Sequence, residues 1–154
     1  ARLRTLSTWV GAWSTRDIYA GGEPKGAGDA TYLIGLRMER CGLKGMPYCG
    51  GAIDIAKFFD QIIRALIYLL ARLAGMPRED LEAYMRYQES LEIYNTIAGG
   101  LGIKYKKRCG IPQGDPLSMM FIALIMRPWV LLMQLGHKIR PSVLVDDIFI
   151  MAVF

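Results

Sequence analysis

Val143-Leu144-Val145-Asp146-Asp147-Ile148-Phe149-Ile150-Met151 reads as two apolar strands joined through a pair of adjacent aspartates. An apolar run that lies in a sheet is an expensive place for a carboxylate. An ionised group buried there needs a compensating partner, or its pKa shifts until it neutralises. Two side by side make the problem worse. Aspartate also favours tight turns, so the pair admits two readings: a hairpin turn and nothing more, or carboxylates that converge on divalent cations. A third aspartate, Asp54, lies between Ile53 and Ile55 in the apolar run from Gly50 to Ala56, which predicts a buried strand. Hard oxygen ligands of this kind suit Mg2+ or Mn2+ rather than zinc.

Composition bounds the rest. The chain has 154 residues, 53% hydrophobic and 21% charged, with a formal net charge of +5. That is enough for a real core, in one domain or a piece of a larger one, and it excludes a disordered chain. Cys41, Cys49 and Cys109 are odd in number and form no C-x-x-C pair. A secreted disulfide scaffold and a zinc ribbon are both disfavoured, and reduced thiols in an intracellular protein are expected, nucleus and cytoplasm undistinguished. The single histidine, His137, beside Lys138 near a predicted helix end, reads as solvent-facing or capping and gives a His-rich metal site no support. No signal-peptide pattern opens the chain. It begins at Ala1 and stops at Phe154 inside an apolar run, as an excerpt would.

Leu117 to Leu135 is nearly long enough to span a bilayer at about 20 residues. Arg127 and Pro128 at its middle argue instead for a helix buried in a globular core, with no membrane. Pro116 suits the first turn of that helix. The turn before it, Arg108-Cys109-Gly110-Ile111-Pro112-Gln113-Gly114-Asp115, is stiff, and its glycines let backbone approach a ligand closely. Amides and a positive dipole are expected to point outward where it meets the helix.

Elsewhere, residues 1–20 are mixed basic and aromatic and helical in part, and Gly21 to Gly28 form a loop. Asp29 is expected to cap a helix carrying Ala30, Leu33, Ile34, Met38 and Cys41, ended by Gly42, Gly45 and Pro47. Ile62 to Leu73 reads as a core helix apolar nearly all round, stopped by Gly75 and Pro77. Glu79 and Asp80 open another helix that runs to about Glu89. Leu91 to Ile97 and Ile103 to Lys107 flank a glycine-rich hairpin turn, with Lys104, Lys106, Lys107 and Arg108 as a basic cluster on the second strand.

Three segments together resemble a known family. Ile53-Asp54-Ile55-Ala56-Lys57-Phe58-Phe59-Asp60, Gly110-Ile111-Pro112-Gln113-Gly114-Asp115-Pro116-Leu117-Ser118 and Leu144-Val145-Asp146-Asp147 look like motifs A, B and C of reverse transcriptases, in the family's order. The D-x-x-x-x-F-D form and the G-x-P-Q-G turn are similar to the non-LTR retrotransposon and group II intron type. Arg2-Leu3-Arg4-Thr5-Leu6-Ser7 resembles a partial fingers motif. Leu144 stands where an aromatic usually precedes motif C. Met119 follows the motif B serine where proline is common, and Arg4 occupies an apolar site of the fingers motif. None of these touches a metal ligand.

The resemblance implies an α/β fold: the partial fingers and palm of a right-hand polymerase, an antiparallel sheet packed with helices. Fingers-like elements would fall in 1–48 and 77–110 and palm-like elements in 49–76 and 111–154, with the thumb absent. It implies an RNA-directed DNA polymerase that uses an RNA template, a DNA or RNA primer and dNTPs, with oligomeric state left open. Asp54, Asp146 and Asp147 would be catalytic and would bind two Mg2+, with Mn2+ as substitute. Phe59 would be an aromatic gate beneath the incoming sugar. Gln113 and Gly114 would line the nucleotide pocket, and Arg2 would approach the triphosphate. A net positive charge suits a phosphate backbone. The alternatives are an inactive retroelement relic or nucleic-acid-binding scaffold, a viral RNA-dependent RNA polymerase, and a piece of a membrane protein. Phe59 and the Pro112-Gln113-Gly114 turn weigh against the viral enzyme.

Overall fold

The computed structural model describes residues 2–22, 25–135 and 139–154, with side chains from Arg4 onward. The elements run α1 (Arg2–Thr5), α2 (Ser7–Trp13), α3 (Ala27–Leu43), β1 (Tyr48–Asp54), α4 (Phe58–Gln61), α5 (Arg64–Leu73), α6 (Arg78–Ser90), β2 (Thr96–Ile97), β3 (Gly100–Leu101), α7 (Pro116–Gln134), β4 (Ile139–Leu144) and β5 (Asp147–Val153). This is a mixed α/β chain with antiparallel sheets. It divides into two compact units, residues 1–56 with 114–154, and residues 57–113. His137 lies outside the described residues.

In the first unit β5 is central, antiparallel to β1 on one side and β4 on the other. Strand alternation sends Val143 and Ile148 into the core, and α7 and α3 both pack on β4. α7 buries Met120 to Leu124, Met126 and Val130, the face that its continuous apolar sequence provides. By length and composition it is also apolar enough to cross a membrane. At its middle the Arg127 Nε donates to the Trp13 carbonyl at 2.7 Å. The segment after α2 seals the outer edge of β4. Tyr19 N donates to the Val143 carbonyl at 2.8 Å, and Val143 N donates to the Asp17 carbonyl at 2.9 Å. The buried Asp17 carboxylate accepts from Gln134 Nε2 at 2.6 Å and from Arg37 at 3.4 Å, which compensates its charge.

The strand around Asp54 spans Tyr48–Asp54 and every residue of it is exposed, not buried. It is an edge strand paired on one side only, and Gly50 and Gly51 carry no side chain to bury. Asp29 is not the residue that precedes its helix. α3 starts at Ala27, and Asp29 lies in its first turn, where its carboxylate accepts from Gly26 N at 2.8 Å. Of the expected apolar face, Ala30 and Cys41 are buried while Leu33 and Met38 are exposed.

In the second unit α5 and α6 pack together. α5 starts at Arg64 and buries Arg64, Ile67, Tyr68 and Ala71, whereas Leu66, Leu69 and Leu73 are exposed. It is therefore one-sided rather than a core helix all round. Gly75, at φ +76, ends it in the left-handed conformation that glycine adopts without steric cost. A hairpin forms in the expected stretch but with other strands: β2 keeps only the end of Leu91–Ile97, and β3 lies within the expected five-residue turn rather than in Ile103–Lys107. Ala98 and Gly99 both have positive φ, the pattern of a two-residue turn matched to strand twist. The expected second strand, Ile103–Lys107, is no strand, because the tight turn at Ala98–Gly99 closes the pairing three residues earlier. Lys104, Lys106, Lys107 and Arg108 lie beyond β3, where only Tyr105 bridges back, to Ile93.

Candidate functional site

The antiparallel register sets Asp54, the last residue of β1, directly opposite Asp147, the first of β5. Asp147 also faces Leu144 at the end of β4, so Val145 and Asp146 form the whole connection between the two strands. Val145 has φ +59, an uncommon and strained conformation for a β-branched residue. Ile55 N donates to the Asp146 carbonyl at 3.2 Å and ties this turn to the chain just past β1. The register thus places Asp54, Asp146 and Asp147 at the same end of the sheet.

Like charges directly opposite across a sheet repel. Among the described residues, no hydrogen bond or ion pair engages the side chains of Asp54, Asp146 or Asp147. Asp54 and Asp147 are exposed and Asp146 is half-exposed, so water reaches all three. Asp54 and Asp147 line a cleft of about 500 Å³ that also takes in Ala30 and Ile34 of α3 and Ser142 and Phe149 of the sheet. No group of three or more His, Cys, Asp or Glu side chains that could by itself hold a metal ion is gathered among the described residues. Mg2+ needs none, since it is commonly held by one or two carboxylates, water and substrate phosphates.

The glycine-rich turn is fastened at both ends. In the second unit Gly110 N donates to the Ile62 carbonyl at 2.7 Å, and Ile111 N to the Phe59 carbonyl at 2.9 Å. Gly110 has φ +86, and a Cβ there would lie 2.9 Å from the Asp60 carbonyl oxygen, so only glycine fits. Phe59 is half-buried with its backbone held by this pairing. Gln113 and Gly114 are exposed, and Gly114 has φ +88 with open space around a Cβ. In the first unit Asp115 caps α7. Its carboxylate accepts from Leu117 N at 3.1 Å and from the buried Ser118 hydroxyl at 3.3 Å, and its carbonyl accepts from Ser118 N at 3.0 Å. The helix amides expected to point outward are therefore occupied, two of them by a residue whose role the local pattern did not single out. Arg2 opens α1, and its side chain is outside the described ones.

Arg64 is the functional-looking residue that periodicity alone treated as an interruption. It is 8% exposed, and it donates to both carboxylate oxygens of Glu89, at 2.9 and 3.2 Å. It also donates to the carbonyls of Lys107 at 2.7 Å and Gly110 at 3.3 Å. Tyr68 adds its hydroxyl to Glu89 at 2.9 Å. Burial opposes the guanidinium charge, but the Glu89 carboxylate outweighs it and holds Arg64 above its ordinary pKa. Arg64, and then Tyr68, keep Glu89 below the usual carboxylate range despite its partial burial. Desolvation and Glu89 push the Tyr68 hydroxyl up. The planar fork of arginine is what lets one side chain clasp a carboxylate and loop carbonyls together. Beside it, Lys107 Nζ reaches Asp60 at 2.6 Å and lowers that carboxyl's pKa.

The sequence matches no family model and no curated protein.

Proposed function

We propose that this chain is the catalytic part of an RNA-directed DNA polymerase of the retroelement type, with the fingers and palm of a right-hand polymerase. It would add dNTPs to a primer 3′-hydroxyl on an RNA template. The observation that carries the reading is the strand register: Asp54 faces Asp147, and Asp146 stands in the adjoining turn. Segments 92 residues apart in sequence bring the side chains of Asp54 and the Asp146–Asp147 pair, all unpartnered among the described residues, to one exposed sheet end, and Mg2+ is commonly held by one or two carboxylates with water and substrate phosphates.

Asp54 and Asp146 would hold Mg2+, and Asp147 would add negative charge beside them. When bound, the ions supply activation of the 3′-hydroxyl and neutralisation of the leaving pyrophosphate. The chain's own part is to orient. Val145 fixes the turn that presents Asp146. Phe59, whose carbonyl accepts from Ile111 N, would be the aromatic residue against which a ribose 2′-hydroxyl clashes. Gln113 and Gly114, both exposed, would line the nucleotide pocket, and Arg2 would meet the triphosphate.

Mn2+ binding measured by the loss of the free-ion EPR signal, with dNTP present, tests the reading directly. The native chain is expected to bind at least about tenfold more tightly than Asp54→Asn/Asp146→Asn. Equal binding by both would overturn it. In RNA-templated extension, Phe59→Ala is expected to accept ribonucleotides that the native chain rejects. An unchanged dNTP preference would remove Phe59 from that role.

A further inference from the structure

Arg16, Arg37, Arg40 and Arg140 line one cleft of about 270 Å³ in the unit formed by residues 1–56 and 114–154. They come from three places in the sequence. Arg16 follows α2, Arg37 and Arg40 lie one turn apart on α3, and Arg140 is in β4. Only Arg37 has an acidic partner, Asp17 at 3.4 Å, with the Ser142 hydroxyl at 3.3 Å. Among the described residues the side chains of Arg16, Arg40 and Arg140 make no hydrogen bond or ion pair. The buried Cys41 and Met151 also line the cleft and give it an apolar floor.

Gathering four guanidinium groups costs repulsion that an anion would relieve. A cleft lined by one sign of charge over a low-dielectric wall focuses that field. Guanidinium forks match phosphate oxygens two at a time. Arg140 pairs with Met151, which lies on the same face of β5 as Asp147 and four residues further on. At about 3.3 Å per residue, the cleft lies roughly 13 Å along the strand from the aspartates. That is about the axial rise of four nucleotide steps at 3.4 Å each.

We infer that the four-arginine cleft grips the phosphodiester backbone of a polynucleotide strand. The choice of a strand over a lone phosphate rests on the polymerase reading. The anion site itself rests on the cleft. Backbone contacts here carry no base information, so they position the nucleic acid rather than select its sequence.

Affinity of the full chain for a labelled RNA–DNA hybrid, measured from about 50 to 300 mM salt, tests this. Arg40→Gln/Arg140→Gln is expected to lower the slope of log affinity against log salt by about 2, one for each phosphate left without its guanidinium. The charge-matched control Arg78→Gln/Arg86→Gln, exposed on α6, is expected to leave the slope unchanged. Thermal melting of both variants verifies that each is folded. An equal fall in slope in the two variants, or none in either, would overturn the inference. Displacement of the hybrid by micromolar inorganic triphosphate would assign the cleft to a small anion and overturn the strand. Asp54→Asn is expected to leave the salt slope as it is. A lower slope in Arg40→Gln/Arg140→Gln without any Mn2+ binding at the aspartates would therefore uphold the cleft while removing the catalytic reading.

Discussion

The two units of the chain are held by different physics. Residues 1–56 and 114–154 form around an apolar core in which Phe121, Val130 and Val143 have at most 1% of their surface exposed. Their buried carboxylate, Asp17, is tucked against that core. Residues 57–113 bury a smaller apolar cluster, with Ile67, Leu81, Tyr84 and Ile111, and add to it the buried charge of Arg64, which binds Glu89 of α6 and the loop from Lys107 to Gly110. Apolar packing itself carries no titrating group. A charged clasp has fixed geometry, answers to protonation and fails when one member is removed. The aspartates stand on the first kind of support, and the Gly110 end of the glycine-rich turn stands on the second.

The largest expected effect belongs to the apolar unit. A Cβ on Gly21 would lie 2.0 Å from the Met119 backbone oxygen, at φ +72, so Gly21→Ala forces α7 and its loop apart. A loss of about 4 kcal/mol or more in urea unfolding is expected, against about 1 kcal/mol for Gly114→Ala, which has positive φ but open space. Equal losses would show that backbone conformation, not close packing, governs this unit.

Next comes the clasp. Arg64→Gln removes the donors to Glu89 and to two loop carbonyls, and is expected to cost about 2–3 kcal/mol. The pH response separates the units. Because Glu89 has its pKa depressed in the folded chain, its contribution is present above its ordinary value of 4.5 and fades as pH falls through the lower folded value. Glu89 is 55% exposed, so solvent screening limits the effect to about 1 kcal/mol or less. Amide exchange in α5 and α6 should quicken in acid before that in α7, and Glu89→Gln should abolish the difference. Simultaneous loosening of both units would erase the contrast.

The smallest effect is a gain. Val145→Gly relieves positive φ at a β-branched residue, and an increase in stability of about 1 kcal/mol is expected in thermal melting. Weaker Mn2+ binding in the same variant would mean that strain at the turn serves the position of Asp146.

Local sequence carried the elements whose causes are local. Asp146 and Asp147 marked a hairpin, Pro116 the start of α7, and Gly75 the end of α5, because turn and cap chemistry act within a few residues. The approach of Asp54 to Asp147 was expected from the three-motif resemblance; the cost of a buried carboxylate does not explain it, since both residues are exposed. The exposure of β1 was not legible, because apolar alternation cannot say whether a strand is central or at an edge. Arg64 looked like a flaw in an apolar helix, since its partners lie 25 and 43 residues away. The four arginines were scattered through the first unit with no shared motif, and only tertiary packing assembles them.

The stitching of Phe59 to Ile111 and Ile62 to Gly110 has a consequence for how the chain tolerates change in length. The excursion through residues 57–113 is closed near its base by its own backbone hydrogen bonds. The entropy of closing that loop is therefore already met inside the excursion, and lengthening it costs only about 0.6 kcal/mol per doubling. Residues added at the exposed Ala98–Gly99 turn extend a loop whose ends stay tied. Insertions at this turn are therefore expected to leave Asp54, Asp146 and Asp147 in register at their sheet end.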